Sequence, residues 1–522
     1  MQPKPTNARL SAAAELDLVV AEVNIPQAQR QRQDQPQRDG VESARAGRVG
    51  WWLLALAGVI VLAGALRLAR LGDWPWHTDE YASFEETAVA VGERSEVNPA
   101  SQLARLPRMI PLAYWPLHAG HVCFGCDEFA ARLVPALCGV LAVLLVPVLL
   151  VGVMGRWPAL VVGLLLAVWP EHVYQSQFHR FYMLASTLVA LALVAGARTW
   201  SSRRPTYWAM LAGGVAVVGG LVHLLCLGLP LILAAGYLAG CWAGRQPVSR
   251  GVLFAYAAAM LAGLALYCGH ARPLMQGWNA GELWGYSPAR AVLALGLQLG
   301  WSMLLLCAVG VILTWREQSA FCAYWLVGVG GWLGSAVVLP RLLPYHPAYS
   351  FLFALPALVL AGSGVARLAE LVRMRYSPVA AMAVLAVACL LELPVLVSDL
   401  TDGRRYDFRA AAVYIESRYQ PADHLVSPSA SVVRVYTQSK LPVEPISAVG
   451  LAGELERLAS LPGRVWLIVP VSRTGLAAPV RQCLGELGFV YQTSFGQHRL
   501  DYHDYRVEVY LRRPVGRGPS GG

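Results

Sequence analysis

Asp79 and Glu80 follow directly on a long apolar run, in the segment WPWHTDEYASFEE, with Asp73, Trp74, Pro75, Trp76 and His77 just ahead of them. A carboxylate at a membrane interface can take the proton of an attacking hydroxyl or hold a divalent cation, and aromatic neighbours can stack on a sugar ring. Two solvated carboxylates beneath an interfacial Trp belt would look the same. Arg180, in WPEHVYQSQFHRFYML, is the second candidate. An Arg at the centre of a membrane helix costs about 2.5–3.5 kcal/mol on insertion scales. One this close to Met183, Leu184 and Ala185 therefore needs an anionic partner or water. Phosphate suits it, because a guanidinium offers paired donors and keeps its charge at any physiological pH; snorkelling to headgroups or pairing with Glu171 would also serve. The third candidate is LPRLLPYHPAYSF, where Arg341, Tyr345, His346 and Tyr349 are stiffened by Pro340, Pro344 and Pro347. Proline-broken backbone at a membrane edge is tolerated chiefly where protein or a wet cavity covers it, which favours a cavity wall over a plain turn.

These residues sit in a chain of 522 that is 56% hydrophobic and only 14% charged. Soluble domains carry about 25% charged residues, so a soluble enzyme, a disordered chain and a disulfide scaffold are excluded and a polytopic α-helical membrane protein is left. The net charge of +10 does not point to nucleic acid, because the basic residues are scattered and form no single stripe. Spanning takes about 20 apolar residues. Such runs fall at about 51–71, 131–153, 157–171, 180–197, 208–223, 225–243, 251–269, 291–313, 320–339, 350–371 and 379–397, giving eleven expected transmembrane helices with uncertain joints at Pro170 and His223. With a cytoplasmic N-terminus the short inside loops hold Arg156, Arg198, Arg203, Arg204, Arg245, Arg250, Arg316, Arg367, Arg373 and Arg375, against Arg180, Arg272, Arg290 and Arg341 outside. That bias supports this topology in the cell membrane and puts the C-terminal part outside.

The expected organisation is a disordered cytoplasmic tail at 1–50, a transmembrane module at 51–397 with a large outer loop at 72–130, a small extracytoplasmic α/β domain at 398–515, and a flexible end at 516–522. Helix-like FRAAAVYIESRY, LAGELERLASL and AAPVRQCLGELG alternate with strand-like RVWLIVP, FVYQTSF and RVEVYLR in the third of these. No cleaved signal peptide is expected, since the first apolar run begins only after residue 50. Cys123 and Cys126 form a lone C-x-x-C, which reads as a disulfide or metal pair or as two unpaired thiols. His223, His270, Trp278, Trp284 and Tyr286 read as interface anchors. The sequence contains no Walker loop, no dinucleotide turn and no H-E-x-x-H, and no G-x-S-x-G between a strand and a helix.

Five segments in order resemble the GT-C superfamily of polytopic glycosyltransferases, in the bacterial branch related to protein O-mannosyltransferases and aminoarabinose transferases. They are ALRLARLGDWPWHTDEYASF, FGCDEFAARLVPALCGVLAV, SQFHRFYML, LPRLLPYHPAYSFLFALPALVLA and YDFRAAAVYIESRYQPAD, spread over most of residues 51–410 and a little beyond. Two departures stand out: Phe178 where the family usually has an acid two residues before the Arg, and Leu342 after Arg341 where it often has Tyr. The resemblance implies transfer of a sugar from a polyprenyl-phosphate donor to a hydroxyl-bearing acceptor on the outer side of the bilayer, with inversion. Asp79 is then the base, Glu80 its support or a metal contact, and Arg180 and Arg341 the phosphate ligands. His77, His179, Tyr182, Tyr345 and His346 are the substrate-binding candidates. No cofactor is required, although a divalent metal at Asp79/Glu80 is compatible. Outside that resemblance, a transporter or flippase of lipid-linked sugars, or a noncatalytic envelope-assembly protein, would use the same charged residues without turnover.

Overall fold

The computed structural model describes residues 50–88, 111–271, 288–342, 347–402, 405–438, 440–446, 451–471, 478–496 and 506–513. Residues 55–522 form one unit, and the few described residues before it are the start of the first helix. The chain is a multi-pass membrane protein. Among the described residues seven helices are long and apolar enough to cross a bilayer, or nine if two bent pairs each count as one span. All eleven expected apolar runs lie on helices, but several are short or broken. The 291–313 run, for instance, is divided between Pro288–Leu299 and Trp301–Thr314 at Gly300. The expected tails at 1–49 and 516–522, and Trp278, Trp284 and Tyr286, lie outside the described residues.

The helices that build the site are α1 (Gly50–Leu68), α2 (Thr78–Ala88), α3 (Pro111–Phe124), α4 (Glu128–Met154), α5 (Arg156–Val168), α6 (Pro170–Ser176) and α7 (Tyr182–Ser201). α5 and α6 meet at a 60° bend. The cause is Pro170: it has no N–H, so the Leu166 carbonyl loses its helical donor in a region where water cannot replace it. Arg67, fully buried near the end of α1, supplies the donors instead, from Nη2 to Leu166 O (3.2 Å) and from Nη1 to Ala167 O (3.1 Å), and its Nη2 lies 2.6 Å from His172 Nδ1. Gln177, just beyond α6, returns the service by donating to Leu66 O and Ala69 O at the end of α1 (3.2 and 2.9 Å). Elsewhere small residues set the packing. A Cβ on Gly310 would fall 1.9 Å from Leu360 O, so Trp301–Thr314 and Leu355–Arg375 meet backbone to backbone.

The C-terminal part carries a mixed five-stranded sheet of β1 (His424–Ser427), β2 (Val443–Pro445), β3 (Val465–Val471), β4 (Phe489–Phe495) and β5 (Arg506–Arg512). Its order is β2-β1-β3-β5-β4, parallel across β2-β1-β3 and antiparallel across β3-β5-β4. One face packs on Phe408–Glu416 and Ala430–Tyr436, the other on Leu451–Ala459 and Ala478–Glu486. Trp76, from the loop ahead of α2, is buried in the first of these cores with Phe408, Trp466 and Val509. The loop that leads into α2 and Asp79 is thereby fixed to the sheet.

Candidate active site

The local start of α2 is written in four residues. His77 caps it: its Nδ1 accepts from the Asp79 N–H (3.1 Å), while Glu80 Oε2 reaches back to the His77 N–H (3.1 Å), a reciprocal cap with the acid at the third helical position. Because a backbone N–H can only donate, Nδ1 carries no proton and the ring is neutral. Burial keeps His77 below its ordinary pKa, with Arg405 and Arg180 pushing the same way against Asp79 and Glu80. His77 is thus a cap for the acidic pair before it is anything else.

The two acids part company in the structure. Glu80 is fully buried and saturated. Arg132 of α4 binds it through Nε (2.9 Å) and Nη2 (3.0 Å), Arg405 approaches Oε2 at 3.2 Å, and the His179 N–H donates to Oε1 at 2.8 Å. Burial alone would raise its pKa, but Arg132 and Arg405 outweigh this and hold the carboxyl well below the usual range. Arg132 also donates to the carbonyls of Leu71, Trp74 and Pro75, and so satisfies the irregular backbone between α1 and α2. Arg405 lies over the rings of Tyr174 and Phe178 and donates to Gln177 O. Glu80 is the keystone of this loop. A divalent cation would have to displace two guanidinium groups, and among the described residues no three His, Cys, Asp or Glu side chains are placed to hold a metal ion. The Asp79/Glu80 metal expected as a possibility does not fit.

Asp79, one residue earlier, is exposed. Its charge acts on Arg180 and on Tyr349. Arg180, in the turn between α6 and α7, is buried; its Nη1 donates to Asp79 O (3.2 Å) and Ser83 Oγ (2.7 Å), and its Nη2 to Tyr182 OH (3.2 Å). Its guanidinium lies over the rings of Phe181 and Tyr182, and Tyr182 packs on His223 and Tyr349. The alternative partner Glu171 is engaged with Gln175 (2.8 Å). A carboxylate open to solvent beside a buried cation in an aromatic wall can take a proton on one side and hold an anion on the other.

His179 departs from its expected substrate contact. The ring is fully buried, Nδ1 donates to Ala131 O (2.7 Å), and burial with the nearby His121 lowers its pKa to about 3, so it is a neutral brace for Glu80. Tyr182, another substrate-binding candidate, lies against Arg180. Tyr345 and His346 lie outside the described residues, as does the side chain of Arg341, whose backbone ends the helix Ser319–Leu342. Tyr349 is the residue of that segment seen at the site. Cys123 and Cys126 are exposed, unpaired thiols. Sequence reasoning missed Arg132, Arg405, Ser83, Glu86 and Tyr114. Ser83 and Glu86 carried a signal, since positions 79, 83 and 86 share one helical face.

No protein-family model matches the chain, and no curated protein matches it in sequence. Solved structures do. The apo crystal structure of ArnT from Cupriavidus metallidurans aligns over 89% of this chain and 98% of its own, with a TM-score of 0.53 at 14% identity. The oligosaccharyltransferase AglB from Archaeoglobus fulgidus, in complex with an inhibitory peptide and a dolichol-phosphate, aligns over 80% of this chain and 69% of its own, with a TM-score of 0.52 at 11% identity. A crystal structure of the Archaeoglobus fulgidus oligosaccharyltransferase in complex with Zn and sulfate gives 0.51 at 12%, over 86% and 73%. At these identities the likeness is one of architecture: the chain has the polytopic membrane fold seen in those ArnT and AglB structures.

Proposed function

We propose that the chain is a membrane glycosyltransferase that moves a sugar from a polyprenyl-phosphate donor to a hydroxyl-bearing acceptor, on the face of the bilayer opposite its N-terminus. The observation that carries this reading is the pairing of exposed Asp79 with buried Arg180 across one turn of α2, joined through Asp79 O and Ser83. In the reaction Asp79 takes the proton of the acceptor hydroxyl. The acceptor oxygen bonds the anomeric carbon from the side opposite the phosphate, the bond between that carbon and the phosphate oxygen breaks, and polyprenyl phosphate leaves against Arg180. The sugar is transferred with inversion. Tyr182 and Tyr349 provide aromatic surface beside the guanidinium, and Arg341 is a second candidate for the phosphate. Dolichol-phosphate in the AglB complex supports a lipid phosphate as the donor's leaving group, and the Arg bias of the short loops supports a cytoplasmic N-terminus.

The test is purified protein incubated with defined polyprenyl-phosphate sugars and candidate acceptors, with product and released polyprenyl phosphate followed by mass spectrometry. Release that depends on acceptor is expected. Movement of intact lipid-linked sugar across vesicle bilayers without release would overturn the reading in favour of a transporter.

A further inference from the structure

Three buried polar atoms near Arg180 have no hydrogen-bond partner among the described residues: Arg180 Nε, the Tyr114 hydroxyl of α3, and Glu86 Oε1 of α2. Their side chains are close enough to act on one another electrostatically. Arg180 and Tyr114 are more than nine-tenths buried. Glu86 lies on the face of α2 that carries Asp79 and Ser83, about 10 Å beyond Asp79 at 1.5 Å per residue. Two of the three atoms belong to groups that can donate. An ionised carboxylate only accepts and would repel an anion held by the other two, whereas a neutral carboxyl makes a third donor.

We propose that Glu86 binds the donor's phosphate as a neutral carboxyl, so that docking of the polyprenyl phosphate at Arg180 takes up one proton from solvent. This rests on the reading of Arg180 as the phosphate ligand. The proton adds to a Glu86 carboxylate oxygen, the new O–H donates to a phosphate oxygen, and the Arg180 Nε–H and Tyr114 O–H do likewise. The groups facing Glu86 agree with this. Burial, helped by the adjacent Glu85, raises its pKa to about 7 against Arg180 and the Tyr114 hydroxyl, which favour ionisation. The two histidines of α3 at this end are engaged with the next residue of α2, His118 with Thr87 O at 2.7 Å and His121 Nε2 with Thr87 Oγ1 at 2.9 Å. A phosphate beside Arg180 offsets the guanidinium charge that keeps Glu86 ionised and adds a negative charge of its own. The carboxyl then protonates.

The experiment measures binding of polyprenyl methyl phosphate, a diester with no proton to lose near neutral pH, to the full-length protein between pH 6 and pH 9. Wild-type affinity is expected to hold below pH 7 and to fall above it toward about tenfold per pH unit, the slope for uptake of one proton. Glu86→Gln, which keeps a donor and cannot titrate, should bind with no pH dependence. Tyr114→Phe should weaken binding roughly two- to tenfold at every pH, as loss of one neutral hydrogen bond does, and keep the slope. Should Glu86→Gln fail to fold, proton uptake on binding is read from wild type in weak buffer, and one proton per lipid is expected near pH 8. A flat wild-type profile, a slope that survives Glu86→Gln, or zero proton uptake would overturn the proposal. No binding to wild type at any pH would instead overturn the phosphate reading beneath it.

Discussion

Replacing Glu80 by Gln separates the two acids of the site, because the structure gives one of them an architectural part. The carboxylate accepts from Arg132 at 2.9 and 3.0 Å and from the His77 and His179 N–H groups at 3.1 and 2.8 Å, and it pairs with Arg405 at 3.2 Å. An amide of the same size keeps one acceptor oxygen and turns an NH2 group toward two guanidiniums. Breaking a buried pair in this way costs about 3–5 kcal/mol, or roughly two to four powers of ten in the ratio of folded to unfolded protein at 1.4 kcal/mol each. Thermal unfolding in detergent should show a much lower midpoint and a lower folded yield, while molecules that do fold keep most of their turnover. The same argument fixes the pH dependence. The folded-state pKa is depressed, so the stability Glu80 contributes is complete above the ordinary carboxylate pKa near 4.3 and fades as the pH falls below it; in Glu80→Gln that acid-side loss should shrink. A variant with wild-type folding and abolished turnover would refute the argument and return Glu80 to the chemistry.

Two further outcomes test the bundle that holds the site. Arg67→Met should lower thermal stability by about 2–4 kcal/mol, because the carbonyls of Leu166 and Ala167 lose their donors inside the membrane. Adding Pro170→Ala, which restores an N–H at the break, should recover part of that loss in a double-mutant cycle. Gly310→Val should abolish folded yield, since its Cβ would meet the Leu360 carbonyl, whereas Gly214→Ala, with open space around it, should be silent.

What could be read from the chain follows the range of the interactions. Apolar runs of about 20 residues are local patterns, so the helical membrane architecture was legible, as were the longer strands β3, β4 and β5. His424–Ser427 and Val443–Pro445 were not, because strands of four and three residues carry almost no period and are specified by pairing with β3 and β1. Asp79 and Arg180 stood out by their chemistry, but that they touch the same turn of α2 is a tertiary fact. The different fates of neighbouring Asp79 and Glu80 depend on Arg132 and Arg405, which are 52 and 325 residues away from Glu80 and unremarkable in the sequence. His179, next to the phosphate-binding candidate Arg180, looked like a ligand and is a brace for the same reason. The middle of the first loop, 89–110, and the segment 343–346 lie outside the described residues, so the expected contributions of Tyr345 and His346 stand as they did from the sequence.

The central claim is that Asp79 performs chemistry which neither folding nor donor binding requires. The measurement is made on Asp79→Asn: transfer from a polyprenyl-phosphate sugar, with polyprenyl phosphate affinity and thermal stability determined on the same preparation. Transfer should fall by about 10²–10⁴, the usual cost of removing a general base, while donor affinity does not fall, since the lost charge is an anion beside Arg180, and stability stays at the wild-type value, because among the described residues the exposed carboxylate makes no hydrogen bond or ion pair. Wild-type transfer by Asp79→Asn would contradict the account, and so would a loss of transfer matched by an equal loss of donor binding.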